Sequence, residues 1–261
     1  MRVDRGGAAP VVAIIQARMS STRLPGKVMR QICSRPVLGH VVDRLARSER
    51  IDKIVVATST DKSDDVIERW CGEERVRVFR GSLDDVLGRY YWTARAYGAR
   101  TVVRVTADCP LIDPVVVDRV IDIYLSGGYD YARTDETYPN GLDAEVFSMD
   151  ALLKAFNGAD LPSEREHVTP YIWKRPEMFA IKSLVCDADH AAMRWTIDDM
   201  KDFTLVEAIF NGLYSKGAVF HMDEIVEFLH ANPALLKINE GTKRNEGYAK
   251  SLMEESAARA S

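Results

Sequence analysis

The sequence has few cysteines, and they are not spaced as in a metal site or a disulfide framework. Its 261 residues include four cysteines that lie far apart and form no Cys-x-x-Cys pair: Cys33, Cys71, Cys109 and Cys186. This spacing argues against a structural zinc site and against a disulfide-stabilised secreted fold. We interpret the four cysteines as reduced thiols of a cytoplasmic protein.

Long hydrophobic runs and long basic runs are also missing. No segment approaches the ~20 apolar residues that span a bilayer, and residues 1–10 lack the apolar stretch of a signal peptide. The 35 basic and 39 acidic residues are interspersed, with a formal net charge of -4 and no basic run that would bind nucleic acid. We expect a soluble, cytoplasmic protein that binds neither membranes nor nucleic acid, with a disordered N-terminus over residues 1–10.

What the sequence does contain is an alternation of short apolar runs and helical patterns. The first run, 11–15, is apolar throughout, as in a central parallel strand that is buried on both faces. Similar runs recur at 53–58, 75–79 and 101–105, with helical patterns between them at 37–48, 64–71 and 83–97. This succession predicts an α/β fold with an open, mostly parallel, Rossmann-like sheet flanked by helices.

The alternation ends after a predicted helix at 114–126. The region 129–185 is predicted to form a small lobe for a second substrate, with strands at 142–147 and 179–185 and helices near 150–157 and 162–172. Two more helices, at 200–213 and 222–229, complete a domain over residues 11–235. The polar tail 236–261 is expected to be peripheral.

The strongest local signal is a group of cations directly after the first strand. Arg18, Arg23 and Lys27 lie there beside small hydroxyl residues and a Pro-Gly turn. Ligands of open α/β sheets bind at the carboxyl ends of the strands, and guanidinium groups pair with phosphate oxygens two at a time. The loop is therefore predicted to bind a triphosphate, although it matches neither the Walker A nor the Gly-x-Gly-x-x-Gly pattern. A solvated basic loop is the alternative.

Asp108 follows the fourth apolar run, at the same edge of the predicted sheet. A carboxylate there can hold Mg²⁺, which usually takes one or two protein carboxylates together with phosphate oxygens. The alternative for Asp108 is a surface position or a helix N-cap. Asp113, immediately before Pro114, fits the role of a cap better.

The run 17–27, Ala-Arg-x-x-Ser-x-Arg-Leu-Pro-Gly-Lys, resembles the signature of cytidylyltransferases that make CMP-activated sugar acids. These are the CMP-3-deoxy-manno-octulosonate and acylneuraminate synthetases, and the most similar branch is that of spore coat polysaccharide biosynthesis protein F. The resemblance extends over residues 11–235, through 81–87, 140–145 and 195–198. It implies a nucleotide-diphospho-sugar transferase-like fold. It also implies transfer of CMP from CTP to a sugar acid or related small acid, a Mg²⁺ cofactor and a homodimer built through 129–185.

The resemblance also implies roles for individual residues. Nucleotide binding is expected of Ala17, Arg18, Ser21, Arg23, Lys27, Arg80, Asp85 and Asp108. Arg18, Arg23, Lys27 and Asp108 form the expected catalytic set, and Arg80 and Asp85 lie in the region that surrounds cytosine in similar proteins. By itself, that region predicts only a helix start with Asp84 in its first turn.

The second metal ligand implied by the resemblance is Asp198. The family pattern is not matched after this position, where the sequence continues Asp199-Met200-Lys201-Asp202, so Asp199 is the alternative. We favour Asp198 because it ends the strand-like run 194–197.

Polar residues of the region 129–185 are expected to contact the acid. A carboxylate favours a bidentate arginine, and hydroxyls favour carboxylate or amide partners. The candidates are Arg133, Asn140, Asp143, Glu145, Glu166 and His167. Each of them could instead be solvated surface.

Two other functions fit the same architecture. One is a glycosyltransferase that consumes a nucleotide sugar, and the other is a non-catalytic module that binds CTP. Asp187-Ala188-Asp189 matches the Asp-x-Asp pattern that glycosyltransferases use for metal, but it lies in a polar stretch and is interpreted as a surface turn. Pyrophosphate release from CTP separates a cytidylyltransferase from both alternatives.

Overall fold

The computed structural model describes residues 10–215, 219–242 and 244–260, with side chains through residue 258. The N-terminus predicted to be disordered spans residues 1–10, of which residues 1–9 lie outside the described residues. Residue 10 is already part of the fold, because its carbonyl accepts a hydrogen bond from the Arg100 amide at 3.4 Å.

The fold is built on a seven-stranded sheet of order β5-β4-β1-β6-β8-β7-β9. Its strands are β1 (Val11–Gln16), β4 (Lys53–Ser59), β5 (Arg77–Gly81), β6 (Thr101–Thr106), β7 (Tyr131–Thr134), β8 (Glu145–Ser148) and β9 (Ile181–Leu184). The pairs among β5, β4, β1 and β6 are parallel, whereas β8 runs antiparallel to both of its neighbours. A two-stranded ribbon, β2 (Gln31–Ile32) and β3 (Arg35–Pro36), completes the set. The predicted α/β fold with a mostly parallel sheet is confirmed.

Helices cover both faces of this sheet. In chain order they are α1 (Val37–Leu45), α2 (Asp65–Glu73), α3 (Val86–Ala96), α4 (Pro114–Ser126), α5 (Met149–Gly158), α6 (Pro162–His167), α7 (Pro170–Trp173), α8 (Met200–Leu213), α9 (Met222–Ala231), α10 (Pro233–Leu236) and α11 (Glu246–Ala260). The side chain of Asp113 accepts from the Val115 amide and caps α4, as predicted. Among the described helices, none combines the length and the apolar character needed to cross a bilayer.

The central strand explains why its sequence shows no alternation of apolar and polar residues. Alternate side chains of β1 enter two hydrophobic clusters, one that holds Ala13 and Ile15 and one that holds Val12 and Ile14. The first cluster includes residues of α1, α4 and α8, and the second includes residues of α3 and α5. Both faces of β1 are therefore buried, and both demand apolar side chains.

The region 129–185 adds strands to the main sheet. β7 and β9 pair in parallel, and β8 joins them to β6. The helix predicted over 162–172 is divided into α6 and α7, because Val168 between them has a φ of 73°. The function of the region 129–185 as an acceptor lobe stays a prediction.

The prediction of a peripheral tail over 236–261 needs correction for residues 244–258. Helix α11 packs against α6, where the Ser163 hydroxyl donates to Glu255 at 2.6 Å. Before α11, the guanidinium of Arg244 donates to the carbonyl oxygens of Glu136 and Tyr138 and to Asp143. These partners lie near the carboxyl edge of the sheet, so the tail belongs to the part of the fold that carries the candidate site.

A glycine lets two distant loops join at that edge. Gly141 has a φ of 112°, and the preceding residue, Asn140, forms a parallel bridge with Arg194. The carbonyl oxygen of Asn140 accepts from the amides of Trp195 and Thr196 at 2.6 and 3.1 Å. A Cβ at position 141 would lie 2.6 Å from the Thr196 nitrogen, so only glycine fits here without displacing the backbone.

Gly141→Ala should lower the free energy of unfolding by at least about 2 kcal/mol, since it combines a strained φ with a backbone clash. Urea unfolding followed by circular dichroism measures the loss. Gly72→Ala is the matched control, because a Cβ on this helical glycine meets nothing within 4 Å; it should be neutral or slightly stabilising. Equal midpoints for Gly141→Ala and the wild type would contradict the analysis.

Candidate active site

Two carboxylates converge on one ammonium group at the carboxyl edge of the sheet. The Lys27 Nζ donates to Asp108 Oδ2 at 2.6 Å, to Asp198 Oδ1 at 2.9 Å and to the Ile197 carbonyl oxygen at 2.8 Å. The Ile197 amide in turn donates to the carbonyl oxygen of Asp108 at 2.8 Å, which ties the two acidic loops together. The structure thus brings together three predicted site residues from three separate parts of the chain.

The electrostatics favour the charged forms of Lys27 and Asp108. Burial lowers the pKa of Lys27, but the charges of Asp108 and Asp198 outweigh this effect and raise it above its ordinary value. Burial raises the pKa of Asp108, but the Lys27 ammonium and the Thr106 hydroxyl lower it by more, so that the net shift is downward. Lys27 and Asp108 therefore form a partly buried ion pair in which each charge favours the ionised form of the other.

Asp198, and not Asp199, faces this group. Its Oδ2 accepts from Arg194 Nη2 at 2.6 Å, and its amide donates to the buried carboxylate of Asp202 at 2.9 Å. Arg194 is held by Asp202 through Nε at 3.0 Å. Asp199 is turned away, because its carboxylate caps α8 by accepting from the amides of Lys201 and Asp202.

The donor set fits Mg²⁺. Asp108 and Asp198 offer carboxylate oxygens, the ligands that this ion prefers, and both already turn toward one positive charge. Within the described ranges, no group of three or more His, Cys, Asp or Glu side chains could hold a metal without other ligands. A metal at this pair would therefore depend on water and on phosphate oxygens, as is usual for Mg²⁺ in nucleotide sites.

The predicted phosphate-binding loop is anchored to the protein through its backbone, and its two arginines are exposed. Met19 is the anchor: its amide donates to the buried Asp64 at 2.7 Å, and its carbonyl accepts from the amides of Ser21 and Gly26. Ala17 is buried and donates its amide to the carbonyl of Ala57. The hydroxyl of Ser21 accepts from the Leu24 amide at 3.3 Å. This loop keeps its shape through its own backbone contacts.

Both arginines of the loop have acidic neighbours. Arg18, with 44% of its side chain exposed, lies 3.7 Å from Glu166. Arg23 lies 3.3 Å from Asp198 and 2.5 Å from Glu246 of α11. Arg23 therefore borders the Asp198 carboxylate directly, and the tail contributes its second partner.

Arg80 and Asp85 take part in ion pairs within the protein. Arg80 is bound by Asp65 and Glu68 at 2.7 and 2.6 Å. Asp85 caps α3 through the Gly88 amide and accepts two hydrogen bonds from Arg165, at 2.9 and 2.5 Å. Helix α3 therefore begins after Asp85, and Asp84, expected in its first turn, precedes the cap. A contact of Arg80 or Asp85 with the base stays a prediction.

A cavity of about 310 Å³ opens beside the ion pair. It is lined by predicted site residues: Arg23, Asp108, Arg133, Asn140, Asp143, Glu145, His167 and Asp198. It is also lined by residues that the sequence did not single out, among them Arg104, Trp173, Arg194, Arg244, Glu246 and Tyr248. Glu166 is not among the described residues of the lining; its carboxylate lies between Arg18 and the Ser251 hydroxyl.

Glu145 contacts the protein with both of its carboxylate oxygens. Oε1 accepts from the Tyr131 hydroxyl and from Thr169 Oγ1 at 2.6 Å, and Oε2 accepts from Arg104. Burial raises the pKa of Glu145, but the Arg104 guanidinium and these hydrogen bonds lower it below its ordinary value overall. Glu145 therefore positions Arg104 in the wall of the cavity, and the substrate contact predicted for Glu145 itself stays a prediction.

Arg133 is an uncompensated positive charge in the cavity. Its guanidinium lies over the ring of Trp173, 5.9 Å from the centroid. Over the described ranges, it forms no ion pair with a carboxylate. A cation that lines a cavity and has no carboxylate partner among the described residues is suited to bind an anionic group of a ligand.

His167 enters the cavity from a strained turn. Val168 has φ 73° and ψ -57°, and the Thr169 amide donates to the His167 carbonyl at 2.8 Å, which together define a γ-turn of the rare positive-φ kind. The imidazole Nε2 lies 3.0 Å from the Ser251 hydroxyl. Burial lowers the pKa of His167 to about 4, against the opposing charge of Glu166. The ring is therefore neutral at physiological pH.

Replacement of His167 should flatten the dependence of stability on pH between about 6.5 and 4. In this window the unfolded chain protonates the imidazole and the folded protein does not, so the folded state loses stability as the pH falls. His167→Asn should lose that contribution, as measured by urea unfolding at stepped pH. His230→Asn, at an exposed position, is the control and should retain the wild-type slope. The same slope in both variants would be inconsistent with a buried neutral His167.

Comparison with known proteins assigns a family to this architecture. Residues 12–234 match the model of a protein family described as cytidylyltransferase. That range contains the phosphate-binding loop, both aspartates of the ion pair and the region 129–185, and it ends before the tail that contributes Arg244 to Tyr248 to the cavity.

Individual relatives agree with this match. Spore coat polysaccharide biosynthesis protein SpsF of Bacillus subtilis is 33% identical over 85% of this chain and 95% of its own length. A 3-deoxy-manno-octulosonate cytidylyltransferase of Geobacter sulfurreducens is 37% identical over 42% of this chain and 44% of its own. The solved structure of a cytidylyltransferase from Leptospira borgpetersenii superposes with a TM-score of 0.84 at 32% identity, covering 91% of this chain and 100% of that one.

Proposed function

This chain belongs to the cytidylyltransferase family of nucleotidyltransferases, and we propose that it transfers CMP from CTP to a small sugar acid with release of pyrophosphate. The observation that carries the proposal is the position of the Lys27, Asp108 and Asp198 group beside a cavity that holds an unpaired arginine. The named activity of the Geobacter relative and the polysaccharide pathway named for the Bacillus relative support a sugar acid as the acceptor.

The nucleotide phosphates would lie on the anchored loop. Arg18, Arg23 and Lys27 supply three positive charges on one edge of the sheet, enough to offset much of the charge of a triphosphate. The Lys27 ammonium also favours the ionised form of Asp108, and it contacts the carboxylates of both Asp108 and Asp198. These residues act by position and charge, which is how most catalysis of phosphoryl and nucleotidyl transfer works.

Asp108 and Asp198 would hold Mg²⁺, which would neutralise phosphate charge and polarise the α-phosphate of CTP. Arg194 and Asp202 keep the Asp198 carboxylate in its orientation, and Thr106 does so for Asp108 through a 2.5 Å hydrogen bond. Both aspartates are thus positioned by protein partners before any substrate arrives. This preorganisation avoids the free-energy cost of reorienting the carboxylates during the reaction.

The acid would bind in the cavity with its carboxylate on Arg133. Arg104, held by Glu145, offers a second cationic group, and its Nε is buried without a hydrogen-bond partner in the described part of the chain. Asn140 and Asp143 offer an amide and a carboxylate to hydroxyl groups. A hydroxyl oxygen of the acid would attack the α-phosphorus in line and lose its proton to solvent, while the bond from that phosphorus to the α–β bridging oxygen breaks and pyrophosphate leaves.

Residues of the region 129–185 would also form the homodimer interface. Among the described residues of this region, three large apolar side chains are exposed: Leu153 at 38%, Met178 at 47% and Val185 at 57%. Such side chains are candidates for burial between two copies.

The function is tested by measuring pyrophosphate release with Mg²⁺, each of the four nucleoside triphosphates and a panel of acids. The panel holds 3-deoxy-manno-octulosonate, N-acetylneuraminate and small non-sugar hydroxy acids. We expect release that requires CTP and depends on one acid. CTP binding without release under any condition would contradict the proposed reaction and favour a non-catalytic module, and turnover of a nucleotide sugar instead would favour a glycosyltransferase.

Asp108→Asn should lower kcat for pyrophosphate release by about 100-fold or more, because it removes a carboxylate that would hold Mg²⁺ against the reacting phosphates. Asp187→Asn is the matched control. This aspartate of the Asp-x-Asp pattern is 91% exposed, and its contact with Arg119 is long, at 3.8 Å, so the substitution should leave kcat unchanged. Wild-type kcat in Asp108→Asn, or a large loss in Asp187→Asn, would refute the assignment of the metal site.

A further inference from the structure

The C-terminal segment forms one wall of the cavity. We call residues 244–251 the C-terminal roof. Its first residue, Arg244, is held by Asp143 at 2.6 Å and by the carbonyl oxygens of Glu136 and Tyr138 at 2.9 and 3.0 Å. These partners belong to the 129–185 region, so this end of the roof is fixed to the acceptor side.

Glu246 connects the roof to the nucleotide side, whereas Ser251 contacts the acceptor side. Glu246 lies 2.5 Å from Arg23 of the phosphate-binding loop. The Ser251 hydroxyl lies 2.9 Å from a carboxylate oxygen of Glu166, the neighbour of Arg18, and 3.0 Å from His167 Nε2. The roof therefore spans the cavity between the two sets of substrate-binding candidates.

Tyr248 is the residue of the roof best placed to contact a ligand. It lines the cavity, and its ring packs edge-on against His167 and Trp173 at centroid distances of 5.0 and 5.8 Å. Its hydroxyl is buried and has no hydrogen-bond partner among the residues that the structure describes. A buried hydroxyl without a partner is unfavourable, so a ligand group that bonds to it gains affinity.

The roof lies outside the range that the family model matches. That match ends at residue 234, whereas the loop, the aspartates and Arg133 all lie within it. The groups proposed to act on CTP therefore lie inside the matched range, and the roof lines the cavity from outside it. A group in this position is suited to selecting the acid.

We propose that the C-terminal roof is part of the acceptor site and that the Tyr248 hydroxyl hydrogen-bonds the acid and helps to determine which acid is used. This inference rests on the proposed function. It concerns a polar group of the acid, a hydroxyl or an amide, on the side away from the carboxylate held by Arg133. Arg244 is a positioning residue, because it fixes the roof through protein partners.

The test compares Tyr248→Phe with the wild type in steady-state pyrophosphate release, using whichever acid of the panel the wild type turns over. The expected result is a rise of about tenfold in KM for the acid, with kcat and KM for CTP within about twofold. Tyr214→Phe, outside the cavity lining, is the matched control and should behave as wild type. An unchanged KM for the acid in Tyr248→Phe would overturn the proposal.

Two further measurements keep the outcomes distinct. If the wild type turns over no acid, the proposed function fails, and calorimetric titration with 3-deoxy-manno-octulosonate replaces KM; equal affinities for wild type and Tyr248→Phe, or no binding to either, overturn the inference. Hydrogen exchange of the full chain tests the roof itself. Amides of 248–256 should be protected in the wild type and exchange faster in Arg244→Ala, and unprotected wild-type amides would overturn the proposal.

Discussion

The contact of the Lys27 ammonium with the carboxylates of Asp108 and Asp198 joins parts of the chain that are 81 and 171 residues apart. The loop after β1, the loop after β6 and the extended segment before α8 can meet only where parallel strands end together. Separating them would leave a buried charge without its partner, which is costly. The same contact places one positive and two negative side chains at the site where a triphosphate would bind.

A second layer of ion pairs holds this centre in place. Arg194 joins Asp198 to the fully buried Asp202, and Arg104 joins the wall of the cavity to Glu145. Neither Asp202 nor Glu145 needs to touch a substrate in order to matter, since each orients a residue that lines the cavity. The strained turn at Val168 has a comparable effect, because it directs both His167 and Thr169 toward the same space.

The sequence predicted the features that depend on local pattern. Apolar runs buried on both faces gave the parallel strands, and the cations after β1 and Asp108 after β6 lie at the edge where such strands place ligand groups. It could not predict partners distant in the chain. The carboxylate of Glu145 accepts hydrogen bonds from Arg104, Tyr131 and Thr169. The polar pattern of the tail did not indicate that Arg244 and Tyr248 line the cavity. The alternative between Asp198 and Asp199 also required the structure, in which Asp199 caps α8.

The central claim is that one cleft joins CMP to an acid, and the most direct measurement identifies the product. CTP labelled at the α-phosphorus is incubated with Mg²⁺, the protein and the acid panel, and the products are separated and analysed by mass spectrometry and ³¹P NMR. The account predicts one new compound that carries CMP on the acid through a phosphodiester, formed in equal amount with pyrophosphate. Label found only in free CMP or CDP, with no acid attached, would contradict it.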